Sequence, residues 1–152
     1  MTVSTRLAEL GIELPAVAAP VAAYVPARIN AGLVYTSGQL PFVAGSLPAA
    51  GKVGAEVSAE DAKGLARTCA LNALAAAADA AGGVDRLGGV LRVGGFVASD
   101  PSFSGQPGVI NGASEVLGEI FGDAGRHARA AVGVSVLPLD SPVEVEVTFI
   151  LA

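Results

Sequence analysis

The chain has 152 residues, enough for one hydrophobic core without staples, and its 52% of hydrophobic residues are mostly Ala, Val and Leu, with no Trp, two Tyr and five Phe. A formal charge of −5, from 9 basic and 14 acidic residues, disfavours phosphate-backbone binding, so no nucleic-acid partner is expected. The single cysteine, Cys69, excludes an intrachain disulfide and a thiolate zinc site and suits a reducing cytoplasm; no targeting pattern stands out, and no apolar run of about 20 residues predicts a membrane span.

In chain order, residues 1–14 predict a short peripheral helix capped by Ser4 or Thr5 and stopped by Gly11, with Leu7 and Leu10 on one side. Residues 24–29 and 33–39 read as strands of a first hairpin around Asn30-Ala31-Gly32, where Asn and Gly can take positive φ. The second strand ends in Thr36-Ser37-Gly38-Gln39-Leu40-Pro41, in which Gly38 permits close backbone approach and Pro41 ends the ladder. Residues 42–57 carry Gly45, Pro48, Gly51 and Gly54 without a clear period and read as a loop with a short strand near Lys52 and Val53. Ser58-Ala59-Glu60-Asp61 is a capping box, and a helix follows to Ala81, stopped by Gly82-Gly83, with Leu65, Cys69 and Ala73 on its buried stripe.

Residues 88–98 alternate as a strand with Leu91, Val93 and Val97 on one side. Val109, Ala113, Val116, Leu117, Ile120 and Phe121 recur at helical spacing, which predicts a helix over 107–121 closed by Gly122. Residues 127–151 read as a second hairpin, two strands joined by a turn between Pro138 and Pro142. In its first strand Ala128, Ala130, Val132, Val134 and Val136 are assigned to the core, and Arg129, Ala131, Gly133 and Ser135 to the other face. In its second strand Val143, Val145, Val147, Phe149 and Leu151 are core, with Glu144, Glu146 and Thr148 opposite. Arg129 and Glu144 are thereby expected together on the non-core side, among small residues that leave room for a ligand.

The order hairpin, helix, strand, helix, hairpin predicts an α+β fold with two long helices on one face of a mainly antiparallel sheet. One domain is expected over 1–152, with 1–19 as an N-terminal extension and no internal repeat. The second sheet face, which would include Leu33, Tyr35 and Ile150 beside the polar residues, is of the mixed kind that another subunit covers, so a homo-oligomer is expected.

Taken residue by residue, the plain alternative for Arg129 is an ion pair with Glu144 or Glu146 across the hairpin. His127 is the only histidine, so a metal site would need carboxylates for every other ligand, and neither metal nor cofactor is expected. Cys69 reads as a small buried hydrophobe. Ser37 lacks the strand-turn-helix setting of a nucleophile elbow and reads as a hydrogen-bond donor in a pocket. The glycines between 82 and 95 match no phosphate-binding loop, and Asn111 on the polar side of its helix is by default solvated.

The motifs YTSGQLP, at residues 35–41, and HARAAVGVSVLP followed by VEVEV, from residue 127, resemble the reactive intermediate deaminase family, also called the YjgF/YER057c/UK114 family. Within it the chain is most similar to the longer subgroup, whose wording is close to GRHARSAVGV and PVEVE. The resemblance covers residues 20–152 and implies a chorismate-mutase-like α+β fold, a homotrimer, and ligand clefts between neighbouring subunits. It also implies hydrolysis of enamines and imines to keto acids and ammonia. By motif matching, the carboxylate-gripping arginine falls on Arg129 and the glutamate associated with the hydrolytic water on Glu144. Tyr24, Ser37, Gly38, Asn111 and Ala131 fall on substrate-binding positions. Three positions depart from the pattern: Ala130 stands where Ser is common, Ala131 where several active deaminases have Cys, and His127 where many have Pro.

Imine hydrolysis needs no protein nucleophile, because the iminium carbon is already electrophilic. An arginine can hold the carboxylate through two parallel charge-assisted bonds, and one carboxylate can move the protons. Three functions are therefore weighed: an imine/enamine deaminase; a non-catalytic binder of small carboxylates such as keto acids; and an endoribonuclease, the name once given to some relatives. The last is disfavoured by the acidic charge and the lack of a histidine pair. The expected partners are a small carboxylate-bearing imine or keto acid and further copies of the chain, with no nucleic acid and no membrane.

Overall fold

The computed structural model describes residues 1–20 and 22–152. Helix α1 (Val3–Glu9) is capped by Thr2, whose hydroxyl accepts from the Thr5 amide, rather than by Ser4 or Thr5. It is less peripheral than expected, since Leu7 is buried in the core. The first hairpin pairs β1 (Ala27–Asn30) with β2 (Leu33–Thr36); the turn residues with positive φ are Ala31 and Gly32, and Asn30 stays in the strand opposite Leu33. Helix α2 (Ala59–Ala81) starts on Ser58, which accepts from the Asp61 amide, and ends at left-handed Gly82, as its capping box and Gly-Gly stop require. Helix α3 (Gln106–Phe121) lies between β3 (Leu87–Ala98) and β4 (Ala128–Val134), and β5 (Val143–Leu151) closes the fold.

The sheet order is β1-β2-β5-β3-β4, antiparallel except for the β3/β4 pair. The expected second hairpin is therefore absent: β4 and β5 do not pair, because β3 runs between them. A parallel pair needs a crossover helix, and α3 supplies it. The turn between Pro138 and Pro142 then carries the chain past the end of β3 to its far side. Alternation and turn residues gave the strands correctly, but nothing in them specifies the partner.

Helices α2 and α3 pack on one face of this sheet. Small residues on α2, including Ala62, Ala66, Ala70, Ala73 and Ala77, bring its backbone down onto Val143, Val145, Val147 and Phe149, all buried as the alternation of β5 predicts. At Gly95 a side chain would come within 2.5 Å of Ile110 on α3, so glycine there permits the close helix–strand approach.

The face assignment of β4 is corrected. Paired residues on neighbouring strands share a face, and Arg129 pairs with Val93 while Ala131 pairs with Gly95. Val93 is fully buried under the helices, so Arg129, Ala131 and Gly133 lie on the helix side. Val132 is on the open side and 45% exposed. Both residue sets of this strand are small or apolar apart from Arg129, so periodicity could not choose between them. Leu91 is likewise not in line with Val93 and Val97: a register shift between Val90 and Arg92 turns it out, 46% exposed.

Candidate functional site

The two charged residues expected side by side are on opposite faces. Glu144 pairs with Phe96 on the open face, whereas Arg129 sits on the helix face of the edge strand beyond β3. Each gathers its own companions.

Around Glu144, the isolated pair Gln39–Val145 is decisive for geometry. Gln39 and Val145 exchange backbone hydrogen bonds of 2.8 and 3.0 Å, which draws the turn at Ser37 and Gly38 against β5. Gly38 then lies directly beneath the Glu144 side chain, where any Cβ would overlap the carboxylate. The need for glycine here is steric. Tyr24, Gly38, Gln39, Leu139 and Glu144 line a cavity of about 160 Å³. The Ser37 hydroxyl, expected to serve a ligand, donates instead to the Val25 carbonyl at 2.6 Å. Among the described residues nothing donates to the Glu144 carboxylate. Burial raises its pKa above the ordinary carboxylate value, and the charge of Glu146 two residues along adds to the shift.

Around Arg129, α3 provides the polar partners. Nη1 donates to Asn111 Oδ1 at 2.7 Å and to Ser114 Oγ at 3.2 Å, and Nη2 reaches the Pro107 carbonyl at 3.4 Å. Ser114 Oγ is 2.9 Å from His127 Nε2, and His127 Nδ1 is 2.6 Å from the Gly125 carbonyl. A carbonyl only accepts, so in the neutral ring Nδ1 carries the proton, Nε2 accepts from the Ser114 hydroxyl, and Ser114 accepts from Arg129. The chain of donors is directed and complete. Among the described residues Arg129 has no carboxylate partner, and Glu146 pairs with Arg92 at 3.6 Å. The structural ion-pair alternative is thus set aside.

Asn111 is therefore a holder of Arg129 rather than a solvated residue. Ala131, two residues along β4, is half-buried under α3 and packs against the core. Ser114 and His127 were not foreseen as partners of Arg129. The signal existed, since Asn111 and Ser114 are one helical turn apart and His127 and Arg129 share a strand face, but it becomes visible only when α3 is known to cross over β4.

The family model described as "YjgF/chorismate_mutase-like, putative endoribonuclease" matches residues 4–150. The chain belongs to this family. Protein TCP17 of Trypanosoma cruzi is 42% identical over 147 residues, covering 95% of this chain and 91% of its own. Two solved structures superpose over 99% of the chain. Atu1372 of Agrobacterium tumefaciens, of unknown function, is 41% identical with a TM-score of 0.90 over 92% of its length. A Shewanella oneidensis protein described as a putative endoribonuclease is 36% identical with a TM-score of 0.94 over its full length. The α+β fold with its mostly antiparallel five-stranded sheet is thus the YjgF fold, and no helix among the described residues is long and apolar enough to cross a membrane.

Proposed function

We propose that the chain hydrolyses reactive 2-imino and 2-enamino acids to keto acids and ammonia, at a cleft completed by a second copy within a homotrimer. The observation that carries this reading is the separation of Arg129 and Glu144, each lacking a counter-charge among the described residues and each held by its own polar or steric frame. A free guanidinium with unused N–H groups suits a substrate carboxylate. A half-buried acid with a raised pKa is a better proton carrier than an ordinary surface carboxylate. In one chain the sheet keeps them apart, so one substrate meets both only if a neighbour supplies the other half. The open face, with Tyr35, Leu91, Val132 and Ile150 exposed, offers the apolar surface for that contact.

In the reaction, water adds to the iminium carbon while Glu144 takes its proton. Glu144 returns that proton to the carbinolamine nitrogen, and the C–N bond breaks as Glu144 takes the hydroxyl proton. The hydroxyl oxygen becomes the keto oxygen, and the departing ammonia takes that proton from Glu144 to leave as ammonium. Arg129 of the adjoining copy holds the carboxylate throughout and keeps the carbon over Glu144. A second reading, a binder of small carboxylates without turnover, is favoured by Ala131, which places no thiol beside Arg129.

Freshly generated 2-imino acids incubated with the purified protein decide between them. Accelerated release of ammonia and keto acid, from a species with the mass of three 14.9 kDa chains, is expected. Keto-acid binding without acceleration would leave the binder, and a monomer at micromolar concentration would sink the shared cleft.

A further inference from the structure

The cavity beside Glu144 is apolar over most of its wall, and that wall is partly made by the N-terminal segment. Ala18, Ala19 and Pro20 face Tyr24, Leu40, Phe42 and Leu139 across it, with Glu144 the one charged residue of the lining. At about 160 Å³ it holds roughly five waters' worth of space at about 30 Å³ each. Behind it, Ala18, Ala19 and Phe42 also bound a second cavity of about 560 Å³, lined otherwise by residues such as Pro15, Val17 and Asn72. Asn72 is buried and donates both amide hydrogens, to the carbonyls of Leu40 at 3.0 Å and Phe42 at 3.1 Å. The Leu40–Phe42 part of the wall is therefore pinned to helix α2.

Leu139 supplies an independent sign. It is 63% exposed and holds a left-handed conformation, φ 57° and ψ 22°, which is costly for a residue with a Cβ. Exposure and strain are both unfavourable locally, and neither is repaid by packing into the core. Its side chain borders the Glu144 cavity, where an apolar occupant would cover it.

We infer that the acid taken at this site carries an apolar side chain of several carbons, seated between residues 18–20, Phe42 and Leu139. This rests on the hydrolytic site proposed above and adds its selectivity. Each fully buried methylene is worth about fourfold in affinity, so three further carbons give a preference of up to about 60-fold, and about 10-fold where they are only partly covered.

The test is calorimetry of the intact protein with pyruvate and with 4-methyl-2-oxopentanoate, beside hydrolysis of the matching imino acids. The branched acid is expected to bind about 10- to 60-fold more tightly. Ala18→Phe, which fills the cavity, should abolish the preference. Leu139→Gly should cut the preference several-fold without lowering the melting temperature, since glycine relieves the strain. Equal affinities, or a preference that survives both variants, overturn the inference. So does a Leu139→Gly protein that melts earlier or loses its oligomer, because Leu139 is then a structural contact. A preference without hydrolysis supports this inference and sinks the hydrolytic reading; hydrolysis without a preference does the reverse.

Discussion

Replacing Glu144 by glutamine separates chemistry from architecture. Glutamine keeps the side-chain shape above Gly38, where the carboxylate fits only because there is no Cβ beneath it. It loses the proton acceptor. A positioned general base contributes about 10²–10⁴-fold, so hydrolysis should fall by at least about 10²-fold, equivalent to about 2.7 kcal/mol at the transition state. Stability should move the other way. Glu144 has a raised folded-state pKa, so its contribution is most favourable below the unfolded value and is lost as pH rises through the folded one. Once its half-buried acid is ionised, the wild type therefore carries a cost that the variant lacks. The melting temperature of Glu144→Gln should equal or exceed that of wild type at pH 8, and the difference should shrink toward pH 4. Single-turnover ammonia release and thermal melts on the same samples check both arms. Unchanged turnover, or a variant less stable at pH 8 than at pH 4 relative to wild type, would refute the assignment.

Gly38→Ala should retain the fold, because φ at Gly38 is not in the left-handed region and the group it strikes is the mobile end of Glu144; turnover should nonetheless fall at least tenfold as the carboxylate is displaced. Arg129→Ala should weaken calorimetric binding of a 2-oxo acid by about 10- to 150-fold, the worth of a charge-assisted pair at 1.5–3 kcal/mol, and Arg129→Lys nearly as much because the planar fork is lost. Equal binding of the acid and its uncharged amide by wild type would remove Arg129 from recognition. Ser114→Ala breaks the link from Arg129 to His127 and should raise KM about tenfold with kcat little changed, the lost bond from the guanidinium being worth about 1.5 kcal/mol.

The parts of the fold legible in the sequence were those where local chemistry and burial agree. Ser58 and Gly82 bracket α2 because a cap and a left-handed stop are local requirements. The Val/Phe set of β5 reads correctly because its alternate residues are Glu144, Glu146 and Thr148, unmistakably polar. Strand β4 offers no such contrast: Ala130 and Ala131 are interchangeable to any hydropathy argument, so alternation alone cannot say which face of the strand meets the helices. Pairing partners were invisible for a related reason, since two alternating strands with a proline-bounded turn fit a hairpin as well as a path around β3. The site was legible as a set of residues and illegible as an arrangement. Arg129 and Glu144 carry the charge, but the sheet order decides that one chain cannot bring them together.

That division yields the sharpest test of the whole reading. If each cleft takes Glu144 from one copy and Arg129 from another, the two loss-of-function variants are complementary. In trimers formed by co-refolding equal amounts of Arg129→Ala and Glu144→Gln chains, a cleft is intact when its glutamate comes from the first kind and its arginine from the second. Random assembly gives this combination in about one cleft in four. Activity should therefore recover to about a quarter of wild type, although each variant alone is nearly inactive. Neither fold nor affinity enters the comparison, because the same chains are present before and after mixing. Were both groups drawn from one chain, every cleft in the mixture would still lack one of them, and no recovery could occur. A mixture whose mass confirms trimers and whose activity stays at the sum of its parts would dispose of the shared cleft, and with it the reason for reading Arg129 and Glu144 as two halves of one site.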